Sequence, residues 1–260
     1  MAPLPSQGLH FGLGLLSIGR TWGVADVPPP SDEVAFELLQ EAVRSGVRIF
    51  DTAPSYASSE SRLGKHLSSL SPEERRSLTI MTKMGEHWNS EDQTPVVDHS
   101  LDALKRSIDR SLELLGHIDL LQVHKATATT VDHPEIRDAI DYARQQGIRH
   151  FGVSASSPDA AWRAIQSDLY CSIQFPFNQY SVQFEPLLDE LRAERVVPIT
   201  NRPFAMGHAI ASGADPATGA ENAFRFLTDH LVNGVVLSGT SKPMHLLENL
   251  TAFAQATGHL

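Results

Sequence analysis

The 260-residue sequence predicts one α/β domain over 1–260, a (β/α)8 TIM barrel, and three observations lead there. Short apolar runs alternate with helix-length amphipathic segments, the pattern of parallel βα units. The alternation completes eight units without a break in composition. Polar residues close several of the runs, where a closed parallel barrel would bring them to a common face. A hydrophobic content of 41% is ample for a buried core. A doubly wound sheet is the structural alternative, but the Gly-rich turn of a dinucleotide-binding sheet is missing.

Taken in order, the first β-like run lies near 12–18 and the first helix over 32–45, with Ser31 or Asp32 as its cap and Gly46 at its end. The second run, 47–51, closes on Asp51 and precedes a helix at 59–69. The third, 78–83, closes on Lys83; its helix, 98–115, stops at Gly116. The fourth, 118–123, leads into His124 and a helix over 134–147 ending at Gly147. Runs at 149–154, 171–175, 196–200 and 234–238 alternate with helices at 158–166, 183–193, 221–231 and 243–255. Pro158, Pro186 and Pro243 fit first turns of these helices. Stretches 84–97, with Trp88, and 201–219, with Phe204 and Met206, exceed an ordinary connection and read as binding loops, joined by Trp22 after the first run.

The formal charge of −10 disfavours non-specific binding to nucleic acid or an anionic membrane. Cys171 is the only cysteine, which excludes an intramolecular disulfide and suits a reducing compartment. The N-terminus lacks the charged and apolar regions of a signal peptide, and no apolar stretch reaches the ~20 residues a membrane helix needs, so a cytoplasmic location is expected. His87, His99, His117, His133 and His150 are scattered without i, i+3 or i, i+4 pairing, so no metal site is expected.

Four residues at or just beyond the ends of these runs suit proton transfer to a carbonyl oxygen. Lys83 has an apolar strand behind it, and burying its ammonium demands an anion; Asp51, closing a neighbouring run, supplies one. A structural ion pair needs no phenol, yet Tyr56 follows Asp51 by five residues. A phenol beside a lysine cation is expected to lose its proton more easily and to serve as general acid, with His124 orienting the carbonyl. Lys83 alone would also suit a Schiff-base aldolase.

The motifs Gly46-Val-Arg-Ile-Phe-Asp-Thr-Ala-Pro-Ser-Tyr56, Glu60-Ser-Arg-Leu-Gly64, Thr82-Lys83, Asp119-Leu-Leu-Gln-Val-His124, Phe151-Gly-Val-Ser154 and Ser238-Gly-Thr-Ser-Lys-Pro243 resemble those of the aldo-keto reductase family over nearly the whole chain. That resemblance implies a (β/α)8 barrel reducing small-molecule aldehydes or ketones with a nicotinamide dinucleotide, NADPH ahead of NADH, and without metal. It assigns Tyr56 as proton donor, Lys83 and Asp51 as its tuners and His124 as the carbonyl-orienting group. It assigns Ser154 and Gln174 to the nicotinamide carboxamide and Gly14 and Leu15 to a turn below the ring. Asn201 and Arg202 fall where a stacking tyrosine and a serine are usual; Arg202 would pair with phosphate. Ala155 stands in place of an asparagine. Gly239, Thr240 and Lys242 lead into a helix start suited to the adenosine phosphate, His245 replaces the usual arginine, and Glu248 and Asn249 match adenine contacts. The sequence stops soon after the eighth helix, so the pocket is expected to be open and bordered by Trp22, Trp88 and Phe204. The departures at 155, 201 and 245 motivate the alternative of a low-turnover NADP(H)-binding or redox-sensing barrel.

Overall fold

The computed structural model describes residues 4, 5, 7–23, 26–211 and 215–258. Strands β1 (Gly8–Gly14), β2 (Ile49–Asp51) and β3 (Thr79–Met84) are followed by an antiparallel hairpin, β4 (Glu86–Asn89) and β5 (Thr94–Val97). Five more strands follow: β6 (Leu120–Ala126), β7 (His150–Ala155), β8 (Ser172–Pro176), β9 (Val197–Asn201) and β10 (Asn233–Gly239). All but the hairpin form one closed parallel barrel, β10 pairing back onto β1 from Gly8↔Asn233 to Gly14↔Gly239.

The first strand is displaced from the expected run. It ends at Gly14, and Leu16–Gly19 form a helical turn, α1. Leu13, Leu15 and Ile18 are all buried, and an apolar run shared between a strand end and a buried turn carries no periodicity that separates them. The stretch 84–97 is ordered as the β4–β5 hairpin. Residues 183–193 split into a 3₁₀ turn (Glu185–Leu187) and a short α-helix (Leu188–Ala193). The helix expected from 221 spans Pro216–His230, because Asp215 caps it by accepting from the Thr218 amide at 3.0 Å. Ser31 caps the first long helix, Asp32–Arg44, and Gly116 ends Leu101–Leu115 at φ 77.

Period-two alternation sets the layers inside the barrel. Ile49, Met81, Leu120, Ile199 and Leu237 belong to one apolar cluster. Two residues further along the same strands, on the same side, stand Asp51, Lys83, Gln122, Asn201 and Gly239. An apolar layer therefore supports a polar one at the strands' C-terminal ends, the face where parallel barrels carry their sites. A second, larger core fills the space between strands and helices, with Leu38, Leu63, Ile108, Ile140 and Phe224 among its members. Among the described residues, no helix is long and apolar enough to cross a membrane, and no His, Cys, Asp or Glu group is arranged to hold a metal ion.

Candidate active site

The polar layer is densely bonded. Lys83 Nζ donates to Asp51 Oδ2 at 2.6 Å and to the Thr52 carbonyl at 2.8 Å, while Gln122 Nε2 donates to Asp51 Oδ1 at 3.0 Å. Lys83 is 0% exposed and Asp51 3%, so pair and bonds compensate a desolvation that neither charge would survive alone. Tyr56 ends a 3₁₀ turn, Pro54–Tyr56, that follows β2. Lys83 Nζ stands 4.8 Å from the Tyr56 ring centroid, and the Tyr56 and His124 rings meet edge-on with centroids 6.0 Å apart.

Local backbone devices hold these groups. A methyl at Gly19 would lie 1.8 Å from the Tyr56 carbonyl oxygen, so α1 packs against the Tyr56 turn only with glycine there. Ser58 reinforces the contact, its hydroxyl donating to the Gly19 carbonyl at 3.1 Å. The β6–β7 register runs Val123↔Val153 then Ala126↔Ala155, so β6 carries one extra residue, a bulge at His124 and Lys125 that redirects the imidazole. Ala57, Lys125 and Arg202, following Tyr56, His124 and Asn201, have φ of 50°, 54° and 57°. Strained non-glycine backbone thus adjoins three of the expected site residues.

Burial raises the Tyr56 pKa above the ordinary 10.0, and the charge and hydrogen bond of Lys83 pull it down without overcoming that shift. The phenol therefore keeps its proton at neutral pH, contrary to the expectation that the lysine would acidify it on balance. Burial also works against the Lys83 ammonium, but Asp51 and then Tyr56 outweigh it and hold its pKa above 10.5. A protonated, triply engaged ammonium is the opposite of an aldolase nucleophile. His124 is driven well below 6.5, by burial first and then by Lys83, Lys125, Arg20 and His99.

A cavity of about 760 Å³ opens over this layer. Asp51, Tyr56 and His124 line one part of it; Gly14, Ser154, Gln174, Asn201 and Arg202 line another; Gly239, Thr240, Lys242 and His245 line a third. Trp22 and Phe204 border it, Trp22 beneath the Arg202 guanidinium at 5.3 Å. Five residues named from the sequence lie off its wall. Lys83 is fully buried below it, and Leu15 is 0% exposed in the core. Trp88 lies on β4 and lines a separate cavity of about 460 Å³. Glu248 is exposed, and Asn249 is buried with its amide donating to Ser238 Oγ at 3.1 Å.

Within the larger cavity Ser17 Oγ, Gln174 Nε2 and Asn201 Oδ1 are buried without hydrogen-bond partners among the described residues. A free donor and a free acceptor on neighbouring strands suit a primary carboxamide, which offers one acceptor and an NH₂. Arg202 and Lys242 on the same wall suit phosphates. The residues present thus fit a nicotinamide dinucleotide. Sequence reasoning missed Gly19, Ser17, Gln122 and Glu86, whose Oε2 lies 3.1 Å from His124 Nδ1. Gln122 was findable, two residues after Leu120 on an alternating strand; Glu86 lies beyond a strand end and carries no local signal.

Residues 10–217 match the aldo/keto reductase family. L-galactose dehydrogenase of Arabidopsis thaliana is 28% identical over 208 residues, covering 75% of this chain and 61% of that protein. Pyridoxine 4-dehydrogenase of Escherichia coli is 25% identical, with 93% and 92% covered. A putative aldo-keto reductase structure from Pseudomonas aeruginosa is 27% identical with a TM-score of 0.79, covering 95% of this chain and 89% of that one. From the barrel, the layered polar floor and a match across most of its length, the chain belongs to the aldo/keto reductase family.

Proposed function

We propose that this protein reduces an aldehyde or ketone to the alcohol with NAD(P)H, by hydride transfer to the carbonyl carbon and proton transfer from Tyr56 to the carbonyl oxygen. A bound dihydronicotinamide supplies the hydride. Tyr56 supplies the proton, and burial keeps that proton in place until charge develops on the oxygen. Lys83, fixed by Asp51, stabilises the phenolate that remains, and His124 orients the carbonyl. Gln174, Asn201 and Ser154 would hold the carboxamide, while Arg202, Lys242, Thr240 and His245 would hold the phosphates. Lys242 and His245 at one end of the cavity favour NADPH over NADH. The half-buried single thiol of Cys171 suits a reducing, cytoplasmic setting.

The observation that carries this reading is the Lys83 ammonium, bound to Asp51 at 2.6 Å and set against the Tyr56 ring beneath an open cavity. Its test is NADPH consumption by the purified protein across a panel of aldehydes and ketones, with Tyr56→Phe in parallel. Turnover that disappears in the variant supports it; equal turnover in both proteins overturns it. Asn201, which offers no aromatic face, favours a second reading, a low-turnover NADP(H)-binding or sensing barrel. Stopped-flow oxidation of bound NADPH by a reactive aldehyde separates the two: rapid oxidation excludes the sensor.

A further inference from the structure

Glu86 is 4% exposed and His124 6%, and Glu86 Oε2 stands 3.1 Å from His124 Nδ1. Ser55 Oγ approaches the same nitrogen at 3.4 Å. Gly85 makes the approach possible: its φ of 101° turns the chain between β3 and β4, and a methyl there would lie 2.3 Å from the His99 ring. The contact constrains the proton inventory of the site. A neutral imidazole has one N–H and one bare nitrogen. If Glu86 were a carboxylate facing a neutral ring, it would take the single N–H at Nδ1 and leave Nε2 an acceptor. A bare Nε2 repels the lone pairs of a carbonyl oxygen and cannot orient it. Donation from Nε2 therefore requires a donor at Nδ1, which the Ser55 hydroxyl reaches only at 3.4 Å and a protonated Glu86 would supply at 3.1 Å.

We propose that Glu86 is a positioning residue that shares a proton with His124 Nδ1 and thereby fixes the N–H of His124 on Nε2, towards the substrate carbonyl. The inference rests on the carbonyl-reduction reading above. The charged and titratable groups around the pair are Tyr56 on the 3₁₀ turn, Lys83 on β3, Lys125 on β6, Arg20 after α1 and His99 before the Leu101–Leu115 helix. The last four oppose a cation on the ring, as burial does. His99 is spoken for, its Nε2 donating to the His124 carbonyl at 2.8 Å.

The test uses the full chain labelled with ¹⁵N-histidine, with Glu86→Gln and Glu86→Leu, and needs no turnover. A glutamine donates from its amide to Nδ1 and cannot titrate. The expected spectra show Nε2 protonated at neutral pH in the wild type and in E86Q, and mixed tautomers in E86L. Kinetically, kcat falls about tenfold in E86L with KM little changed, and E86Q recovers most of that loss. A bare Nε2 in the wild type at the pH of full turnover overturns the proposal, as does the same His124 tautomer in all three proteins. If Nε2 is protonated as expected while Tyr56→Phe still turns over, carbonyl reduction by Tyr56 fails and the role of Glu86 in fixing the tautomer stands.

Discussion

The floor of the cavity is built around a bonded ion pair, whereas its wall presents unpaired polar atoms. On the floor, Lys83 Nζ and Gln122 Nε2 donate to the two Asp51 oxygens at 2.6 and 3.0 Å, so the buried ion pair is satisfied and only the neutral Gln122 Oε1 has no hydrogen-bond partner among the described residues. On the wall, Ser17 Oγ, Gln174 Nε2 and Asn201 Oδ1 are buried with no hydrogen-bond partner among the described residues. A satisfied buried network is rigid before any ligand arrives, whereas an unsatisfied one carries a desolvation cost that only a ligand relieves. On the proposed function the floor serves the chemistry and the wall the recognition, and substitutions in the two regions should fail differently.

The largest effect belongs to the floor. Tyr56→Phe is expected to lower reductive kcat by about 10³-fold while leaving NADPH affinity, followed by nicotinamide fluorescence, unchanged. Less than a tenfold fall would remove the phenol as acid. The pH profile adds a sign. A donor must hold its proton, and burial places the Tyr56 pKa above 10.0, so loss of turnover from this group sets in only beyond that pH.

Next comes Lys83→Met, which strands Asp51 in a site where it is 3% exposed. Denaturant unfolding is expected to show a loss of about 3–5 kcal/mol, largely recovered in the Lys83→Met, Asp51→Asn double variant. Equal stability of the single variant and the wild type would mean that the floor is not the tightly coupled pair its distances imply.

On the wall the sign reverses. Gln174→Leu removes an unpaired donor, so the ligand-free protein is expected to gain about 1 kcal/mol in the same assay. NADPH affinity should fall about tenfold, and the cofactor-induced rise in Tm should shrink with it. A variant destabilised without ligand would show that Gln174 is already satisfied, and the contrast between wall and floor would close.

These contrasts were partly legible in the sequence. The barrel was, because eight alternations of period and length leave few closed parallel arrangements. The floor was, because Asp51 and Lys83 close apolar runs and so must face a partner. What escaped depends on contacts that sequence spacing does not encode. The family resemblance puts Leu15 at the cofactor turn, yet it lies in the core, since the strand ends one residue earlier at Gly14. Its place in a long loop suggests Trp88 at the pocket border, but the β4–β5 hairpin carries it to a different cavity. Glu86 and Gly19 owe their meaning to His124 and Tyr56, both more than thirty residues away in the chain. The net direction of the Tyr56 shift also needed burial, which outweighs the neighbouring charge that the sequence does display.

The smallest effect tests whether unsatisfied polar atoms away from the cavity behave like those on its wall. His66 is 1% exposed, neither ring nitrogen has a hydrogen-bond partner among the described residues, and its ring meets Phe36 edge-on at 5.2 Å. Burial lowers its pKa below 6.5. The unfolded chain therefore binds this proton more readily than the folded one, so the His66 contribution to stability is complete above pH 6.5 and is lost as pH falls. His66→Phe keeps the aromatic contact and removes both unpaired nitrogens. The variant is expected to match or exceed the wild type by on the order of 1 kcal/mol at neutral pH, with a margin that widens as the pH drops. Parallel Tm curves for the two proteins between pH 7 and 5 would show that the His66 ring finds a partner after all, and no ligand is implicated there, because His66 lines neither cavity.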